Sequence, residues 1–101
     1  MMCVELTMYF GTNKPNGVVE YKEIFEFIDK YIKPDHASFT YLHGFGFWLG
    51  QMEKTVILKF IVPYVNKDWV KRICSEYCRL FEQDSVLVTE SECQKELYGR
   101  L

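Results

Sequence analysis

The stretch that decides the fold is Met52 to Val88, which reads MEKTVILKFIVPYVNKDWVKRICSEYCRLFEQDSVLV. Apolar side chains occupy both faces of residues 53–62, which is typical of a central strand or of a strand with a subunit contact on its second face. Asn66 then predicts a helix start, because its side chain can cap the first turn. Apolar positions three and four residues apart continue to Phe81, and residues 85–89 form a last short strand. The stretch therefore predicts a strand, a helix and a second strand.

Composition limits the chain to one domain and excludes several functions. The chain has 101 residues, of which 49% are hydrophobic, with a net charge of -2 and a pI of about 5.7. A mildly acidic chain without a basic run is not expected to bind nucleic acid. No apolar run approaches the length of a membrane span, and the first residues lack the pattern of a signal peptide. We therefore expect a cytoplasmic protein that does not associate with membranes.

The cysteines and histidines predict neither a metal site nor a cofactor. No pair of cysteines has the Cys-x-x-Cys spacing, and the two histidines stand far from them in sequence without a ligand pattern. We expect reduced thiols, as is usual in the cytoplasm, and a disulfide framework is the alternative. The residues concerned are Cys3, Cys74, Cys78, Cys93, His36 and His43.

The rest of the chain supplies two strands, a loop and a helix. Residues 3–11 alternate between apolar and mixed side chains, which predicts a half-buried strand. Residues 11–17 have the composition of a loop, and residues 38–48 are rich in residues that favour a strand. Residues 19–32 carry a helical apolar stripe that ends before Pro34, and the stripe consists of Tyr21, Ile24, Phe25, Ile28, Tyr31 and Ile32.

This order of elements predicts an α+β fold, the ferredoxin-like βαββαβ sandwich. It has an antiparallel four-stranded sheet with the first and third strands in the centre and two helices on one face. The open face carries apolar and aromatic side chains, which predicts a homo-oligomer. The domain is expected to span residues 1–90. Residues 91–101 form a C-terminal tail, for which a short helix, a swapped arm and a frayed end all remain open.

Two polar residues stand where chemistry is expected. Glu53 opens the central strand directly after a glycine-rich segment, and Gln83 lies between the second helix and the last strand. Each also has a structural interpretation, as a solvated strand end or as a helix cap. Whether they meet within one chain is open, and a site shared between subunits would bring them together. Trp48 either covers the site or caps the edge of the core.

The available residue types favour a cationic substrate. No catalytic triad, Walker loop or metal cluster is present. A carboxylate can pair with a positive charge, and aromatic faces attract it through cation–π contacts. Such a site can hold one reactive conformer without supplying a nucleophile. Glu53 is therefore the candidate catalytic residue, and the candidates for substrate binding are Gln83, Trp48, Tyr9 and Tyr41.

Two segments resemble a known family. Residues 53–56, Glu-Lys-Thr-Val, and residues 81–88, Phe-Glu-Gln-Asp-Ser-Val-Leu-Val, are similar to matching segments of bacteriophage-encoded S-adenosylmethionine lyases, long called SAM hydrolases. Cys78, three residues before the second segment, also fits. The resemblance covers roughly residues 38–90. Trp48 stands about where the family has a tyrosine, the loop before Glu53 is shorter, and the family's C-terminal extension is missing.

The resemblance implies a metal-independent lyase with a ferredoxin-like trimer and sites between subunits. It implies cleavage of S-adenosylmethionine to methylthioadenosine and homoserine lactone, in which the substrate's own carboxylate displaces the sulfonium group. Glu53 takes the place of the family's essential acidic residue, which would hold the cationic part of the substrate, and Gln83 falls on the family's glutamine near the site. The expected role is counter-defence, by removal of the methyl donor of restriction systems.

Two alternatives stay open. Some members of the wider group look suited to SAM-AMP, the adenylated messenger of certain type III CRISPR systems, and a shorter loop could admit this larger substrate. The lack of a basic patch argues against strong contacts to its phosphate, although Lys14, Lys54 and Lys59 could supply some. The segment at the end of the second helix also resembles an uncharacterised bacterial ferredoxin-like family, so a non-catalytic binder (a sponge) or an interaction module is the competing class.

Overall fold

Four long strands pair into one antiparallel sheet in the computed structural model, which describes residues 2–100. A separate two-stranded sheet joins β2 and β3, and the order across the main sheet is β4-β5-β1-β6. The elements are β1 (Met2–Gly11), β2 (Asn13–Lys14), β3 (Gly17–Val18), α1 (Tyr21–Phe27), a π-helical turn (Ile28–Ile32), β4 (Thr40–Trp48), β5 (Gln51–Val62), α2 (Lys67–Phe81) and β6 (Leu87–Gln94).

The alternation of β1 and β5 divides the sheet into a covered and an open face. Leu6, Met8 and Phe10 of β1 are buried, and Phe10 lies opposite Val56 of β5. Side chains at odd positions of β1, such as Tyr9, point to the other face because successive strand residues alternate. The burial of Leu6, Met8 and Phe10 agrees with the alternation predicted for β1. The central position predicted for both strands agrees with the observed sheet order.

Both helices pack on the covered face and complete one hydrophobic core. Ile24, Ile32, Ile73 and Tyr77 join the buried residues of the two central strands in a single cluster. The predicted cap of α2 is present, because the side chain of Asn66 accepts a hydrogen bond from a backbone N–H in the first turn. The chain is thus an α+β protein with a four-stranded antiparallel sheet and two helices.

Two local features differ from the sequence analysis. The predicted loop at residues 11–17 contains the two-stranded turn of β2 and β3, which is too short to leave a periodic signal. The stripe of α1 includes Phe27 and not Phe25: Phe27 is buried, whereas Phe25 is exposed and stacks on Tyr41 with ring centroids 4.8 Å apart. The π-helical turn that follows Phe27 widens the helix, so the stripe does not hold a regular period.

The last strand runs further than the predicted residues 85–89. It begins at Leu87 and pairs with β1 as far as Gln94. This pairing sets Cys93 opposite Cys3, and their sulfur atoms lie 2.8 Å apart as free thiols. Within residues 2–100, no helix is both long enough and apolar enough to cross a bilayer.

Candidate functional site

A cleft of about 710 Å³ opens at one end of the uncovered sheet face. Its floor is formed where β1 ends and β5 begins, and one wall is the hairpin between β4 and β5. The segment between α2 and β6 forms the opposite wall. The lining residues are Tyr9, Gly11, Asn13, Lys14, Pro15, Gly46, Phe47, Trp48, Gln51, Glu53, Thr55 and residues 82–88.

Glu53 lies half-buried on this floor, in a space that Gly11 leaves free. A Cβ atom at Gly11 would stand 2.7 Å from Oε1 and 2.8 Å from Oε2 and Cδ of Glu53. Gly46 lies opposite Glu53 on the neighbouring strand β4, so β4 also places no side chain beside Glu53. The carboxylate therefore sits flat against the strand instead of extending freely into solvent.

Asn13 connects Glu53 to Gln83 within one chain. The backbone N–H of Asn13 donates to Oε2 of Glu53 at 2.9 Å, and its backbone carbonyl accepts from Nε2 of Gln83 at 2.7 Å. The second hydrogen bond of the Gln83 amide goes to the carbonyl of Phe81 at 3.1 Å. Glu53 and Gln83 are thus linked through Asn13 within one chain, although β5 and β6 are not neighbours in the sheet.

The two residues before Asn13 are also held from both sides. The Tyr77 hydroxyl of α2 donates to the carbonyl of Gly11 at 2.7 Å, and the Thr12 hydroxyl donates to the carbonyl of Lys54 at 2.7 Å. Burial raises the pKa of Tyr77, and the nearby Glu53 carboxylate adds to this rise. The phenol stays protonated at neutral pH and acts as a fixed donor beneath the site.

The aromatic candidates separate into two places. Tyr9 and Trp48 line the cleft, and Trp48 is 71% exposed. Tyr41 lies on the covered side of β4, where it pairs across with Leu58 and its hydroxyl contacts Nε2 of His43 at 2.5 Å. The structure does not bring Tyr41 into the cleft, because its ring packs on the covered face against the core and stacks on Phe25 of α1.

The charges around the cleft are mainly negative. Glu82 and Asp84 join Glu53 in the lining, and Lys14 is the cation among the lining residues that the structure describes. Of the lysines considered for phosphate contacts, Lys59 pairs with Glu5 at 3.0 Å on the open face and does not line the cleft. Three carboxylates and one ammonium favour a positively charged ligand over an anion.

The arrangement is suited to binding and orientation. The described residues contain no group of three or more His, Cys, Asp and Glu side chains that could hold a metal ion. A fixed carboxylate beside exposed aromatic rings can bind an ammonium or sulfonium group by charge and by cation–π contacts. The cleft volume lies in the range of small-molecule sites.

Gly11 and Asn13 also belong to the site, although they are not among the residues predicted for it from the sequence. A glycine at the end of a strand of large side chains signals that another group approaches closely. The Pro15-Asn16-Gly17 segment signals a turn, and this turn folds Gly17 and Val18 back onto Lys14 and Asn13. Together these signals could have pointed to residues 11–13 as part of the site.

Comparisons with known proteins identify the family of the chain and a structure of similar fold. A family model described as a protein of unknown function (DUF3574) matches residues 5–96. A solved structure described as a phage SAM lyase in the apo state has a TM-score of 0.58 and 15% sequence identity, covering 97% of this chain and 94% of that chain. No curated protein matches the sequence. At this identity the likeness shows a shared fold alone.

Proposed function

The chain belongs to the DUF3574 family, and we propose that it is a lyase that cleaves S-adenosylmethionine to methylthioadenosine and homoserine lactone. The observation that carries this proposal is the carboxylate of Glu53, held by Asn13 in an acidic cleft with aromatic walls. A neighbour in fold that is a phage SAM lyase supports the same substrate class. The assignment of the fold as ferredoxin-like is part of this proposal.

The proposed reaction is an intramolecular displacement. An oxygen of the substrate's carboxylate attacks the γ-carbon of its methionine part, so the C–O bond of the lactone forms as the bond from this carbon to the sulfonium sulfur breaks. The electron pair of the C–S bond goes to sulfur, which leaves as the neutral thioether methylthioadenosine. No proton moves and no atom is oxidised, so the site needs to hold only the reactive conformer.

Three of the proposed residues would hold that conformer by direct contact with the substrate. Glu53 pairs with the ammonium group of the substrate, and the faces of Trp48 and Tyr9 attract the sulfonium. Gln83 belongs to the proposed site beside Glu53. Tyr41 has no proposed contact with substrate, since it lies outside the cleft.

The charges of the cleft favour free S-adenosylmethionine over SAM-AMP. A phosphodiester adds a negative charge, and it would face three carboxylates with Lys14 as the cationic partner in the lining. We therefore rank the conjugate second. The biological role that fits is counter-defence in the cytoplasm, through removal of a methyl donor or of a signal.

A homotrimer is the proposed assembly. The open sheet face carries the exposed side chains of Leu42, Ile61 and Leu87, and burial between subunits would remove this apolar surface from water. The cleft lies at the end of the same face, so a neighbouring subunit could complete it. The lyase domain, expected at residues 1–90, would also include residues 91–94, because they pair with β1 as the end of β6. The tail would then begin at residue 95.

Product analysis tests the proposal. Purified protein is incubated with S-adenosylmethionine or with SAM-AMP, each without added metal, and products are identified by chromatography and mass spectrometry. We expect methylthioadenosine and homoserine lactone from S-adenosylmethionine at a higher rate than the adenylated product. Tight binding of either compound without any product would refute the lyase and support the sponge.

A further inference from the structure

Gln83 uses its amide nitrogen entirely within the protein. Both groups that face this nitrogen, the backbone carbonyls of Asn13 and Phe81, can only accept hydrogen bonds. The side chain must therefore turn its NH₂ group towards them, and both hydrogens are then in use. No donor of Gln83 remains for a ligand in the cleft.

Two hydrogen bonds at Asn13, one from Gln83 and one to Glu53, are made by neighbouring peptide groups. Asn13 receives Gln83 at its carbonyl and donates from its N–H to Glu53. The Asn13 side chain adds a longer contact of 3.4 Å to the carbonyl of Met52, next to Glu53. A displacement of Asn13 at its carbonyl end would thus change the direction of the N–H that fixes the carboxylate.

We propose that Gln83 is a positioning residue that acts on Glu53 through the backbone of Asn13, and that it does not bind substrate through its amide nitrogen. The inference rests on the proposed role of Glu53. Tyr77 and Thr12 fix the residues before Asn13, and the pairing of β2 with β3 holds Lys14 after it. Between them, the side chain of Gln83 fixes the carbonyl of Asn13. The hydrogen bond from Gln83 to Asn13 connects the segment between α2 and β6 to the floor of the cleft.

The first test observes Asn13 directly, without any ligand. Backbone ¹H–¹⁵N spectra are compared for wild type, Gln83→Met and Gln51→Met. Gln51 is a matched control, because it is an exposed glutamine of the same cleft on the opposite wall. We expect Gln83→Met to shift the Asn13 amide resonance and to speed its exchange with solvent about tenfold. Gln51→Met should leave both unchanged, and an unchanged Asn13 amide in Gln83→Met would overturn the inference.

The second test is a double-mutant cycle with sinefungin, an uncleavable analogue of S-adenosylmethionine that keeps a positive charge. We expect Gln83→Met to weaken sinefungin binding about tenfold when Glu53 is present, and less than about twofold in the Glu53→Gln background. Equal losses in both backgrounds would mean that Gln83 contacts the ligand itself, and would overturn the inference.

The two tests separate the inference from the proposed function. If sinefungin does not bind the wild-type protein, the proposed substrate is contradicted. The Asn13 amide then decides the positioning role alone, because that measurement needs neither substrate nor turnover.

Discussion

Replacement of Gly11 by alanine tests how closely Glu53 is held. The new Cβ would stand 2.8 Å from Oε2 of Glu53, whereas ordinary contacts begin at 3.4 Å. The carboxylate would have to retreat by about 0.6 Å. A similar lengthening of the 2.9 Å bond from the Asn13 N–H would take that bond to the limit of a useful hydrogen bond, about 3.5 Å.

The expected loss is catalytic more than structural. A hydrogen bond to a charged group contributes about 1.5–3 kcal/mol, which corresponds to a fall in kcat/KM of roughly ten- to a hundredfold. The free energy of unfolding should change little, since the end of the Glu53 side chain can move. Alanine also lowers the conformational entropy of the unfolded chain, which stabilises the folded state by only about 0.5–1 kcal/mol.

The assay combines steady-state kinetics with thermal unfolding, and Gly44→Ala is the matched control. Gly44 is also a strand glycine, but its new Cβ would meet only Cδ1 of Ile57, at 3.1 Å and away from Glu53. We expect Gly44→Ala to keep most of the activity. If Gly11→Ala cleaved S-adenosylmethionine as fast as wild type, the close packing of the carboxylate would have no part in the reaction.

Three further predictions concern the scaffold. Ile73→Asp places an unpaired charge at a position that is 2% exposed, so it should abolish cooperative melting, and an unchanged melting curve would refute the assigned core. Asn66→Ala removes the cap that accepts from the N–H of Trp69, and urea unfolding should report a loss of about 1 kcal/mol. The pKa of Cys93 is raised to about 11, chiefly by its hydrogen bond with Cys3. At pH 8 only about one thiol in a thousand is then ionised, so iodoacetamide should react slowly with Cys93 and faster in Cys3→Ala. Equal alkylation rates would contradict this coupling.

The sequence predicts the central strands and α2 because their patterns are long and regular. β1 alternates between apolar and mixed side chains over residues 3–11, β5 is a long run with apolar side chains on both faces, and α2 has a cap and a continuous stripe. The sequence predicts an end of β6 that is too early, because Ser91, Glu92 and Gln94 are polar, as an edge strand with much solvent exposure allows. The sequence pattern includes Phe25 in the stripe of α1, whereas the structure buries Phe27 instead, because a π-helical turn changes the helical period after Phe27.

The candidate site could be predicted only in part. One cleft brings together Tyr9, Trp48, Glu53 and Gln83. The link between Glu53 and Gln83, however, is made by backbone atoms of Asn13. Asn13 acts through its N–H and its carbonyl, so its residue type carries little signal. The contribution of Gly11 is the space that a missing side chain leaves. The role of the Asn13 backbone and the space at Gly11 both depend on which strands lie side by side, so they cannot be predicted before the pairing of the strands is known.

The most direct test of the central claim compares wild type with Glu53→Gln in one experiment on S-adenosylmethionine. The substitution preserves the shape of the side chain and its acceptor for Asn13, and it removes the charge. We expect wild type to release methylthioadenosine, and Glu53→Gln to lose about a hundredfold or more in kcat/KM with an unchanged melting temperature. Near-normal turnover by Glu53→Gln, or no product from wild type, would contradict the account.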